Sequence, residues 1–201
     1  MSYDLAHPTR LLKSTGARRL LAGLLLLIGV HAGAWAQAER GAARVAEEHQ
    51  VKAAYLYKFL GFIDWPPQAF ASAESPYVIG VVGADALADE LARVVASRQV
   101  NGRPAVARKL GPDEPPTGVH LLFIGRDAAP RAASLLAQVR DRSVLTVTET
   151  EEAFEAGSAI NFVVVDDKVR FDVAPRSTEA SSLKISSRLI GVARRVRESM
   201  L

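Results

Sequence analysis

The chain has no cysteine among its 201 residues. That absence excludes disulfides, thiolate metal ligands, cysteine nucleophiles and thiol redox switching. Histidine is scarce too. There are four, and two of them, His7 and His31, lie in the first 36 residues. The remaining pair, His49 and His120, are far apart, whereas a zinc site needs three or four ligands. There is no G-x-S-x-G elbow, no Walker loop and no G-x-G-x-x-G fingerprint, so three common routes to catalysis or nucleotide binding have no sequence support. The adjacent carboxylates Asp166 and Asp167 do not make an acid–base pair, because neighbours in a strand point to opposite faces. A hairpin turn explains them. No catalytic residue, metal site or cofactor is assigned, and the expectation is a non-enzyme.

The basic excess is local. Arg10, Lys13, Arg18 and Arg19 precede an apolar run, LLAGLLLLIGV, and then Ala34-Trp35-Ala36. This order of charged, apolar and small residues reads as a secretory signal peptide over residues 1–36, cleaved after about Ala36. The alternative is an uncleaved anchor, but the run falls short of the roughly 20 residues that span a bilayer. The whole chain holds 25 Lys/Arg and 22 Asp/Glu, and the leader takes four basic residues and one acidic with it. The remainder carries 21 of each, a net charge of zero. Nucleic acid is therefore not an expected partner, and little charge repulsion opposes self-association. The expected location is the periplasm.

Residues 37–50 read as a polar spacer running into a helix, and residues 51–201 as one folded domain. VKAAYLYKFLGFIDWPP (51–67) packs five aromatics into helical spacing and stops at Trp65-Pro66-Pro67, since proline disfavours helix in the residue before it. YVIGVV (77–82) and VHLLFI (119–124) are unbroken apolar runs typical of strands buried on both faces. Helices are expected over 84–97, 130–140 and 149–155, with strands at 105–110 and 144–148. Asn101-Gly102 signals a turn. INFVVVDDKVRFDV (160–173) reads as a hairpin about Asp166-Asp167-Lys168, and 183–196 as a last helix that Arg194, Arg195 and Arg197 would complete at its C-terminus. The fold class expected is α/β: a single domain with a mixed, mostly parallel sheet, an antiparallel hairpin edge and helices on both faces. His120, inside a strand pattern, reads as a satisfied core histidine.

Three stretches, VKAAYLYKFLGFIDWP, INFVVVDDKVRFDV and LKISSRLIGVAR, together resemble the YfiR-like family of periplasmic regulators. The resemblance spans about Val51 to Arg194. It implies a protein that binds the periplasmic sensor region of an inner-membrane diguanylate cyclase and represses it, lowering cyclic di-GMP signalling and biofilm formation. It further implies a homodimer, and an outer-membrane lipoprotein able to sequester the repressor. Two departures stand out. Phe171 runs into Asp172-Val173-Ala174-Pro175 where relatives often reach an asparagine, and the cysteine pairs of some relatives are missing. Within the matching stretches the candidate partner- or ligand-binding residues are Tyr57, Trp65, Arg170, Lys184, Ser187 and Arg188. For Trp65 and Tyr57 core packing competes with an interface role, since aromatics serve both. For the two arginines an internal salt bridge or a solvated edge competes with ligand contact. The alternative function is a small-molecule sensor or solute-binding domain, with its ligand beyond the carboxyl ends of the strands near Gly83, Gly125 or Thr148. An enzyme of unfamiliar chemistry is the third reading.

Overall fold

The computed structural model describes residue 37 and residues 39–198. The leader expected over 1–36 lies outside the described residues. The chain divides into two compact units, Met1–Val45 and Ala46–Leu201. In the first, residues 39–45 are helical and exposed. All the strands belong to the second.

In that second unit α1 covers residues 46–59. It ends earlier than the aromatic stretch suggests. A 3-10 turn, Leu60–Phe62, leads straight into the short strand β1, Ile63–Asp64, so the chain is already extended when it reaches Trp65-Pro66-Pro67. The elements that follow are β2 (Tyr77–Val82), α2 (Asp85–Val95), β3 (Gln99–Val100), β4 (Arg103–Lys109), β5 (Leu121–Ile124), α3 (Ala132–Val139), β6 (Leu145–Thr148), α4 (Glu151–Glu155), β7 (Ile160–Val165), β8 (Lys168–Val173), β9 (Lys184–Ile185), α5 (Ser187–Gly191) and β10 (Arg195–Val196). Pro130 is not in the first turn of α3. It sits inside a preceding 3-10 turn, Arg126–Arg131.

Eight strands form one sheet in the order β10-β8-β7-β6-β5-β2-β4-β3, while β1 and β9 make a separate antiparallel pair. The central ladders β4-β2-β5-β6-β7 are parallel, and β7–β8 and β3–β4 are antiparallel. This is the mixed α/β sheet expected. Both hairpins turn on two residues at positive φ, Asn101 and Gly102 in one, Asp166 and Asp167 in the other, as a tight turn matching strand twist requires.

The core has two layers because the central strands are apolar on both faces. On one face Ile79, Val81, Leu121, Phe123, Val147 and Phe162 pack with Ala53, Leu56 and Phe59 of α1 and Leu87, Leu91 and Val95 of α2. On the other, Val82, Leu122 and Ile124 pack with Leu135, Leu136 and Val139 of α3. Helices thus cover both faces. The aromatics of the first layer form a cluster. Tyr55 and Phe59 stack at 5.8 Å, and the Phe171 ring meets each of them edge-on. Most of the aromatic surface of residues 51–67 is spent on this core, at roughly 1.5–3 kcal/mol for each fully buried side chain.

The last segment departs most from expectation. Residues 183–196 are not one helix. The Ser186 side chain accepts a hydrogen bond from Leu189 N–H and starts α5, which lasts only five residues. Both flanks are extended instead. β9 pairs with β1 through Ile63↔Ile185 and Asp64↔Lys184, and β10 lies parallel to β8 through Arg195↔Asp172 and Val196↔Val173. The β-branched residues Ile185 and Val196 suit those strands.

Candidate functional site

The six candidate residues do not converge on one pocket. They divide into anchored and free groups. Tyr57 is half-buried, donates its hydroxyl hydrogen bond to Gln99 O at 2.8 Å, and lies under the Arg98 guanidinium. Trp65 is also half-buried. Its indole N–H donates to Leu60 O at 3.0 Å, and its ring meets Tyr77 and His120 edge-on at 5.6 and 5.9 Å. Both aromatics are thus structural props. Arg170 is exposed on β8 and donates to Val169 O at 3.3 Å; this is the solvated-edge reading, with no carboxylate partner among the described residues.

Lys184, Ser187 and Arg188 are different. All three are exposed, and among the described residues none makes a side-chain hydrogen bond or ion pair. They sit within five positions on β9 and α5. The β1–β9 pairing, the Ser186 cap and the Ser186 N–H to Phe62 O bond at 2.9 Å hold this short segment rigid. Because Lys184 is paired with Asp64 in the ladder, the segment lies beside the strand that leads into Trp65. Two exposed cations and a hydroxyl on a fixed backbone can bind a carboxylate-bearing surface. They offer no base poised for proton abstraction.

His120 behaves as a core residue. Its Nδ1 accepts from Val78 N–H at 3.1 Å and its Nε2 lies 3.1 Å from Ala69 O, which fixes the neutral tautomer protonated on Nε2. Burial lowers its pKa, helped by the Arg103 charge and opposed by the Ala69 bond. Phe70 stacks on the ring at 4.7 Å.

Two charged networks escaped the sequence reading. Lys52, only 2% exposed, pairs with Glu48 one turn earlier and with Glu149 at the end of β6. Glu149 also accepts from Arg126 N–H at 2.9 Å. The i,i+4 spacing of Glu48 and Lys52 is a readable signal, whereas nothing local to Glu149 marks it as the partner of a distant lysine. Burial raises the pKa of Glu48, but the Lys52 hydrogen bond and charge, with smaller contributions from Arg126 and His49, leave it below the ordinary value. The second network surrounds Asp172, which is fully buried. Arg194 Nε donates to Oδ1 at 2.8 Å and Arg195 Nε to Oδ2 at 3.1 Å, while Arg195 also reaches Glu151 at 2.7 Å. Arg197 lies over the Phe154 ring at 4.0 Å. These arginines therefore do not finish a helix. Arg194 and Arg195 fasten the β10 segment to β8 by holding Asp172, the departure from the family pattern, and Arg197 bonds Phe154 O.

The crevice at the carboxyl ends of β2 and β5, where the chain changes direction across the sheet, is the usual ligand position in such folds. Here the two loops approach each other closely. A Cβ on Gly125 would lie 2.2 Å from Gly83 O, and one on Gly83 would lie 2.5 Å from Ala128 N. Thr148 is buried and donates to Asn161 Oδ1 at 3.0 Å. The loops after β2 and β5 thus touch at Gly83 and Gly125, and Thr148 is tied down inside the sheet. Among the described residues no group of three or more His, Asp or Glu could hold a metal ion, and no helix is long and apolar enough to cross a membrane.

A search of curated protein sequences gave no match. Among solved structures, the crystal structure of a conserved domain protein from Vibrio cholerae O1 biovar eltor str. N16961 is similar at 10% identity with a TM-score of 0.47, covering 60% of this chain and 54% of that one. The YfiR/HmsC-like family model matches residues 49–194. That match takes in the aromatic residues of α1, the β7–β8 hairpin and the α5 segment, and the chain belongs to the YfiR/HmsC-like family of periplasmic regulators.

Proposed function

We propose that this protein is an exported repressor that binds the periplasmic sensor region of a membrane-bound diguanylate cyclase and lowers cyclic di-GMP signalling. The observation that carries the reading is the family match over residues 49–194. The free cations of the α5 segment support it, because exposed, unpaired charge on a rigid element is suited to recognising another protein. In this reading residues 1–36 are the cleaved leader, residues 37–50 a spacer and residues 51–201 the regulatory domain. The protein acts as a homodimer, and an outer-membrane lipoprotein relieves repression by competing for it. The protein does no chemistry of its own; it sets a second-messenger level by binding.

The test is direct binding. The protein, purified after export, is titrated against the purified periplasmic region of a diguanylate cyclase from the same cell. Micromolar or tighter binding is expected. Lys184→Glu combined with Arg188→Glu should weaken it more than tenfold without changing the melting temperature. Absence of binding to every such region would overturn the reading.

A further inference from the structure

Strand β4 has an open outer edge. Its outer neighbour β3 meets it only at Arg103 and Pro104, through Val100↔Arg103 and Gln99↔Pro104. Ala105–Lys109 have β2 on the inner side and, among the described residues, no strand on the outer side. The two-residue turn makes Val100 and Arg103 the closing hydrogen-bonded pair. Alternate residues Ala105, Ala107 and Lys109 therefore direct backbone N–H and C=O groups outward. Val106, Arg108 and Leu110 direct theirs toward β2, and the bond from Leu110 N–H to Val81 O at 2.8 Å fits that alternation. A groove of about 510 Å³ runs beside the edge, lined by Ala92 and Val95 of α2, by residues 96–99 that follow it and by Pro104 to Ala107. Val106 is 41% exposed there.

Proteins usually guard such an edge with proline or charge. The guards here are disengaged. Pro104 turns its nitrogen toward β2, by the same alternation. Lys109 is paired with Asp89 at 2.9 Å, and Arg108 donates to Thr117 O.

We propose that β4 pairs with β4 of a second copy, antiparallel about a two-fold axis at Ala107. The proposal rests on the homodimer in the reading above and names its surface. In this register Ala107 faces its own counterpart, Ala105 faces Lys109, and Val106 faces Arg108. All six outward backbone groups of each copy then find partners, and no like charges stand directly opposite one another. A register centred on Lys109 would oppose two lysines, and one centred on Ala105 would need Arg103, which β3 already occupies. The equal count of acids and bases after residue 36, 21 of each, leaves no net repulsion between copies.

Sedimentation of the protein purified after export tests this. A dimer is expected. Val106→Arg, which sets two cations opposite each other, should raise its dissociation constant more than tenfold, while Val106→Glu should keep or tighten it. The chain has no cysteine, so Ala107→Cys gives a clean second measurement. Hydrogen-bonded antiparallel partners have Cα atoms about 5.5 Å apart, within disulfide reach. Mild oxidation should therefore link Ala107→Cys dimers and leave Val165→Cys unlinked. A monomer at every concentration would overturn both the dimer and this surface, leaving the edge to a strand from another protein. A dimer that ignores Val106→Arg and gives no Ala107→Cys cross-link would overturn the surface alone.

Discussion

Lys52 and His120 show how single residues tie distant parts of the chain together. Lys52 is held in the interior by two carboxylates, Glu48 from its own helix and Glu149 from the end of β6. Removing one partner of a buried ion group leaves uncompensated charge, which costs about 3–5 kcal/mol. Lys52→Ala should therefore lower unfolding stability by about that amount in urea titration. Lys52→Met with Glu149→Gln should recover a large part, because less charge is then stranded. His120 makes a different prediction. Its pKa lies below 6.5 in the fold because burial disfavours the imidazolium. The unfolded chain then binds more protons below pH 6.5, so stability falls as pH drops from that value toward the folded pKa. The slope should be positive through that window, and it should vanish in His120→Gln. A flat profile between pH 7 and 5.5 in the unaltered protein would contradict the buried neutral tautomer. His120 was legible from the sequence because it interrupts an apolar run. The Lys52 network was only half legible, since nothing local announces that Glu149 lies opposite a lysine 97 positions earlier.

At the scale of elements, β2, β5, β6 and the β7–β8 hairpin were readable for a simple reason: strands buried on both faces are continuous apolar runs, and Asp166-Asp167 is turn chemistry. Two elements were misread because tertiary pairing overrode local preference. Helical spacing continues through Phe62 and Ile63, yet Ile63 is drawn into β1 by Ile185. The 183–196 segment has the apolar spacing of a helix, yet Asp172 gathers Arg194 and Arg195 and lays β10 against β8. Asp172 is thus the fastening of the whole C-terminal segment. Asp172→Ala should free residues 194–197, with faster amide exchange there, and should cost less stability than Lys52→Ala, because the arginines it releases are 38% and 44% exposed and turn to water. If amide protection of that segment is unchanged in the variant, the fastening lies elsewhere.

At the scale of the whole molecule, the proposed role rests on what the fold presents outward. The loops after β2 and β5 meet closely at Gly83 and Gly125. The free polar side chains Lys184, Ser187 and Arg188 stand outside on a short, well-anchored segment. The family motifs were legible because they are aromatic and apolar patterns that build the core. The proposed partner surface was legible only as residue numbers, since whether an arginine is free or fastened depends on carboxylates far away in sequence. Arg188 and Arg194 share one motif and meet opposite fates. The central claim is that the protein acts from outside the cytoplasm to restrain cyclic di-GMP synthesis. Its most direct test is intracellular cyclic di-GMP in cells lacking the gene, complemented with the full chain or with residues 37–201 alone. The account predicts a rise on deletion that the exported full chain reverses and the leaderless form does not. An unchanged level under conditions where the protein is made, or equal rescue by the leaderless form, would contradict it.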